Sequence, residues 1–427
     1  MPTLSRLAAA TLAAALAATL AAPAGAVNII LNDVNNSFAN APNGPEALYA
    51  FRKAANYWNK TLSNDATVRI DIGFSDLGSN VLGSTSINAS DVKVSSVYNA
   101  LAATGNSALD TLAVAHLSPL NAGGGLSMRV NGYLDPAAQT GIDTAAATRL
   151  ATGNSRMNNY LSANTSVLKA LNLSTGQPAG AADATINFSS TFAFDYNPSN
   201  GISNGAYDFT AVAVHELGHA LGFISGADVF DVYGHPNGPL AGQMDNDHID
   251  NYSVGSTLDL FRYGNGFNAD GSRQLQWAAN RPAFLSIDGE HVFSIDNSDQ
   301  QAAFFSTGEF NGDGNQASHW IDNLAATLPN GCLQSVRQVG IMDPTIAPCD
   351  VGEVTQNDLA AFDAMGWNLH ENILADPNYH ESTAAIYQLD GLAPVVPEPD
   401  MAGMLLAGLG ITGMVARRRQ NRRFNSA

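Results

Sequence analysis

The chain has 427 residues, 45% of them hydrophobic and 13% charged, with 38 acidic against 19 basic side chains and a net charge of −19. That length and apolar fraction support a sizeable core and exclude disorder as the whole answer. Six of the basic residues (Arg6, Arg417, Arg418, Arg419, Arg422 and Arg423) sit at the two ends, so the body has few cations with which to neutralise phosphates, and no nucleic-acid partner is expected.

Residues 1–26 carry Arg6, an Ala/Leu run and a small-residue close at Pro23-Ala24-Gly25-Ala26. This order reads as a secretory signal peptide cleaved before Val27; the run is too short and Ala-rich to read as a spanning helix. A short strand is expected at 28–31. A helix is expected over 45–62, where Leu48, Phe51, Ala55 and Trp58 recur at helical spacing after Pro45. Residues 68–72 alternate like a strand. Residues 73–184 are rich in Ala, Ser, Asn and Gly and show little periodicity, so no element is assigned there. Residues 185–195 alternate again and read as an edge strand or a core strand; an Asn/Gly/Pro-rich loop follows. Within that loop Gly201-Ile202-Ser203-Asn204-Gly205 matches GxSxG, but the nucleophile elbow needs a strand before it and a helix directly after.

The next segment, DFTAVAVHELGHALGF, predicts a helix over 208–222 with Asp208 as N-cap and Gly222 as its stop. His215 and His219 are four apart and share one face, where they can ligate one ion, and Glu216 lies beside them, where it can take a proton from a metal-bound water. A catalytic zinc takes three protein ligands and leaves a position for water. The elongated motif HExxHxxGxxH would place the third ligand at position 225, which is Ser225. The candidates left are Asp228, Asp231 and a distant histidine, His319, in Ser318-His319-Trp320. Asp245, Asn246, Asp247 and Asp250, and the run from Asn311 to Asn315, have the oxygen-rich look of structural calcium loops without the complete twelve-residue pattern. In an exported protein Cys332 and Cys349 can pair as a disulfide. Thr355 and Asp358 form a capping-box-like start for a helix ending near Gly366.

HELGHALGF, a long insertion, SHW and then Gly340-Ile341-Met342-Asp343-Pro344 together resemble leishmanolysin, the metzincin class in which an inserted segment separates the third zinc histidine from the motif helix. IMDPTIAP followed by a helix ending in Gly-Trp is similar, more distantly, to the matrixin-like families. The resemblance covers about a quarter of the chain. It implies an α+β fold of metzincin type with a mixed β-sheet, an active-site helix and a methionine turn. It further implies a zinc endopeptidase with Zn²⁺ on His215, His219 and His319, Glu216 as general base, Met342 as a structural residue beneath the metal, and a peptide or protein as substrate. A metal-bound, non-catalytic surface module is the competing expectation, and the intact Glu216 discriminates against it.

Val396-Pro397-Glu398-Pro399, an apolar run over 401–416 and Arg417-Arg418-Arg419 resemble the PEP-CTERM sorting tail of Gram-negative bacteria, and by apolarity alone would read as a membrane anchor. The resemblance implies export to the cell surface or extracellular matrix, exosortase-type processing, and membrane contact of the tail beforehand. The expected organisation is therefore a signal peptide over 1–26, a metalloprotease domain over 27–396 and a sorting segment over 397–427. Within the domain the N-terminal part spans 27–222, an inserted subregion 223–318 and a C-terminal part 319–390.

Overall fold

Alternating burial along Asn28–Asp33 and Thr67–Ser75 places Ile29, Leu31, Val68, Ile70 and Ile72 on one inner face, and the two strands pair in parallel with Ile29 opposite Val68. These coordinates are a computed structural model that describes residues 26–294, 302–323, 326–327, 332–334 and 338–395. The apolar core of the expected signal peptide and the run 401–416 lie outside the described residues; among the described residues no helix is long and apolar enough to cross a membrane.

Two parallel strands need a crossover, and helix Gly44–Thr61 supplies it. Its buried face carries Phe51, which meets Phe188 edge-on at 4.9 Å, and Trp58, which meets Phe362 at 4.7 Å. Ala184–Ser189 adds a third parallel strand, and Gly83–Ile87 runs antiparallel to it at the end of the sheet. One of the sheet's two edge strands is thus Gly83–Ile87, in the stretch where composition showed little period. Ala184–Ser189, within the segment expected as an edge or core strand, is interior, with neighbours on both sides.

A second, six-stranded sheet runs in the order Phe304–Phe305, Ala283–Leu285, Arg262–Phe267, Arg273–Gln276, Met128–Val130 and Arg149–Ala151. Four of its strands come from the region after the motif helix and two from the unassigned stretch before it, joined where Leu275 pairs in parallel with Met128. Strands from the expected inserted region 223–318 thus share one sheet with residues that precede the motif helix. A short strand cannot bury both faces alone, and the partners come from far away in the chain. The whole is α+β with open sheets.

Helix Gln356–Ala364 starts at the expected capping box of Thr355 and Asp358. Near its end Asp363 is 1% exposed, accepts the Ser107 hydroxyl at 2.8 Å through one oxygen, and among the described residues has no hydrogen-bond partner for the other. Burial, helped by the neighbouring Asp110 carboxylate, pushes its pKa up to about 8. The folded protein thus holds a proton that the unfolded chain releases near pH 4. Asp363 therefore supports stability fully below that pH and loses this contribution as pH rises toward 8. Asp363→Asn keeps the neutral shape. Thermal melts are expected to show it more stable than the parent by about 2 °C or more at pH 8, with the gap closing at pH 4.

Candidate metal centre

Asp208 caps the motif helix, Phe209–Ala220, by accepting the Ala211 N–H at 3.1 Å, and its second oxygen takes the Thr383 hydroxyl. The apolar residues around the motif bury the helix, which is also tied from outside by the Trp58 indole N–H donating to the Val214 carbonyl at 3.2 Å. Gly222 ends it at φ 114°, a conformation that needs glycine, and a Cβ there would lie 2.4 Å from Val167. The reversal brings the Phe223 carbonyl back onto His219 Nδ1 at 2.7 Å.

His215, His219 and His319 converge. Their Nε2 atoms form a nearly equilateral triangle, 3.0 Å between His215 and His219, 3.1 Å between His219 and His319, and 3.2 Å between His215 and His319. Each Nδ1 faces a backbone carbonyl, that of Ile341 at 2.8 Å, Phe223 at 2.7 Å and Gln316 at 3.2 Å. A carbonyl only accepts, so each Nδ1 carries the proton and each Nε2 presents its lone pair to the centre. Burial pushes the pKa of His215 down to about 4 and of His219 to about 3. It also drives His319 well below the usual range, the last two helped by neighbouring imidazoles, so all three stay neutral. Three converging lone pairs repel unless a cation sits among them. A tetrahedral zinc with nitrogens at roughly 2.0–2.1 Å has N···N edges of about 3.3 Å, close to this triangle.

Glu216 points to the cleft side, where Oε2 accepts the Thr85 hydroxyl at 2.6 Å and Oε1 faces Gly83 of the edge strand. Burial pushes its pKa up to about 7, although the Thr85 bond opposes the rise. Met342 lies behind the helix: a Cβ on Gly218 would fall 2.3 Å from its sulfur, so the glycine inside HELGH is the space Met342 fills. Asp358, fully buried, accepts the Ile341 N–H at 2.8 Å, the Met342 N–H at 3.2 Å and the Trp320 indole N–H at 2.8 Å. One carboxylate thus joins the strut behind His215 to the residue after His319. Cys332 and Cys349 are bonded, closing the chain around Met342. Such a loop is worth about 3 kcal/mol on the chain-entropy account.

Neither aspartate left open as a third ligand reaches the triangle. Asp228 spends both oxygens on the Ala317 and Ser318 N–H groups and the Ser318 hydroxyl. Asp231 accepts the Phe310 and Asn311 N–H groups at 2.9 and 2.8 Å. Ser225, where the elongated motif has histidine, donates its hydroxyl to Asp259 at 2.6 Å. In the acidic loops read as calcium candidates, Asp250 pairs with Arg149 and the Tyr133 hydroxyl, and Asp313 accepts the Thr307 N–H at 3.1 Å. Among the described residues the three histidines are the one cluster of at least three His, Cys, Asp or Glu able to share an ion. Ser203 lies in a loop and donates its hydroxyl to Asp195.

The three histidines line a cleft of about 720 Å³ together with Gly83, Ser84 and Thr85 of the edge strand and with Asp343, Pro344 and Thr345. Thr85 and Gly83 went unnoticed in the sequence because Gly-Ser-Thr-Ser-Ile has no apolar alternation to mark a strand. Arg262, which donates to the Ala317 carbonyl two residues before His319, was missed as well, although a cation directly after Leu260-Phe261 and before Tyr263 does carry a signal, since a buried charge must be paired.

Residues 395–420 match the family model for the PEP-CTERM protein-sorting motif. That motif marks an exported protein sorted at the envelope of a Gram-negative bacterium and processed by exosortase-type machinery. No curated protein and no solved structure matches the chain.

Proposed function

We propose that the protein is an exported zinc endopeptidase of metzincin type, in which His215, His219 and His319 hold the metal. The observation that carries the reading is the triangle of neutral Nε2 lone pairs with Glu216 beside it at the floor of an open cleft. Zinc held there supplies a Lewis acid and a water whose pKa falls toward neutrality. Glu216, with a pKa near 7, takes a proton from the attacking water and returns it to the leaving amine. The Thr85 hydroxyl holds one of its oxygens and leaves the other for that transfer. Among the described residues Gly83–Ile87 pairs on one side only, so an extended peptide can add to its other edge beside the three histidines. Met342 backs the motif helix as a structural residue.

The test is to measure zinc and casein hydrolysis on the purified protein before and after a strong chelator. About one zinc per chain is expected, with cleavage lost on chelation and restored by zinc. A parent without zinc overturns the reading, and zinc without cleavage supports a metal-bound binding module instead.

A further inference from the structure

We propose that Asp228 and Arg262 are positioning residues for the third metal ligand, clamping Ala317 and Ser318 so that His319 meets the two helix histidines. The inference rests on the metal reading above. His215 and His219 are placed by one helix, but His319 lies 100 positions beyond His219 and needs other support. Its own Nδ1 contact, to the Gln316 carbonyl, is the longest of the three. The aim of its imidazole therefore depends on the backbone just before it.

That backbone is held from both sides. Asp228 Oδ1 accepts the Ala317 N–H at 2.6 Å, and Oδ2 accepts the Ser318 N–H at 3.1 Å together with the Ser318 hydroxyl. Arg262 donates to the Ala317 carbonyl at 3.1 Å, to that of Ser306 at 3.0 Å and to that of Gln276 at 3.2 Å. A fully buried guanidinium spending all three of these bonds on carbonyls is a rigid fork, with its plane over the Phe305 ring at 4.7 Å. Ser318 Oγ also accepts the Ser225 N–H at 2.8 Å, so the position occupied by histidine in the elongated motif here braces the neighbour of the distant one. Asp228 lies on helix Ala227–Gly234, which follows the motif helix Phe209–Ala220 after the Gly222 turn, so the clamp ties the backbone before His319 to the helix next in the chain after the one that carries His215 and His219.

Asp231 supplies an internal comparison. It sits on the same helix, is 1% exposed and makes the same kind of bonds, but to Phe310 and Asn311, away from the ligand. Asp228→Asn is expected to weaken zinc about 10–100-fold in chelator competition and to change the visible spectrum of the cobalt-substituted protein. Asp231→Asn is expected to melt earlier while keeping the parent's zinc affinity and cobalt spectrum. Ser318→Ala, which removes one hydroxyl, is expected to shift affinity in the same direction as Asp228→Asn and keeps the test readable should that variant not fold. Parent affinity in both Asp228→Asn and Ser318→Ala overturns the clamp and leaves the metal reading intact, and an equal affinity loss in Asp231→Asn reduces it to general stability. A parent that takes no zinc overturns the metal reading and the clamp with it.

Discussion

Glu216→Gln is expected to lower kcat for casein by about 10²–10⁴-fold while zinc stays at about one per chain. The amide has the shape of the carboxylate and can still accept the Thr85 hydroxyl, so the cleft wall between Glu216 and Gly83–Ile87 is kept. What it cannot do is take a proton. The three Nε2 atoms belong to other residues, whose Nδ1 atoms keep their carbonyl struts at Ile341, Phe223 and Gln316, so a metal held there would lose no ligand. Metal content by atomic absorption and hydrolysis rates on the same sample separate the two effects. Undiminished turnover in this variant would remove Glu216 from the chemistry.

His319→Ala is expected to lose both zinc and cleavage, with stoichiometry falling well below one, because two nitrogens from a single helix remain where a closed set of three is needed. The fold should survive, since the local backbone does not depend on the imidazole: Ser306 N–H donates to the His319 carbonyl at 3.0 Å, and Trp320 N–H to the Met342 carbonyl at 2.9 Å. Circular dichroism checks this independently of activity. Full zinc in a folded His319→Ala protein would sink the assignment of the third ligand.

Both expectations put weight on residues that differ in how they could be found. His215, Glu216 and His219 lie within about one helical turn, and the helix was readable from its cap at Asp208, its apolar interior and its stop at Gly222. The helix at Gly44–Thr61, the strand at Thr67–Ser75 and the capping box at Thr355 declared themselves in the same way, through spacing and end signals a few residues long. The disulfide was legible because the chain holds two cysteines and an export signal, which leaves one pairing.

The partners of the site were legible only in part. Asp228 was picked out as a carboxylate near the motif, yet its oxygens turn to Ala317 and Ser318, and distance along the chain could not tell a ligand from a residue holding one. Thr85 and Gly83 come from a strand with no apolar alternation, and its neighbour Ala184–Ser189 is almost a hundred residues away. The sheet that carries Arg262 is completed by Met128–Val130 and Arg149–Ala151, from a stretch whose composition announced nothing.

From the sequence alone came the sorting tail, the motif helix with two histidines and a carboxylate, the capped C-terminal helix and the pair of cysteines. Each is encoded locally, because a helix repeats every 3.6 residues and a sorting signal is read as a linear segment. Only the tertiary structure decided that His319 rather than Asp228 closes the triangle, that Gly83–Ile87 forms the rim of the cleft, and that the region after the motif helix shares its sheet with residues before it. Those outcomes depend on which strands pair across long loops and on which buried donors find acceptors. They follow from satisfying the hydrogen bonds of the whole core at once, for which no short stretch of chain carries a signal.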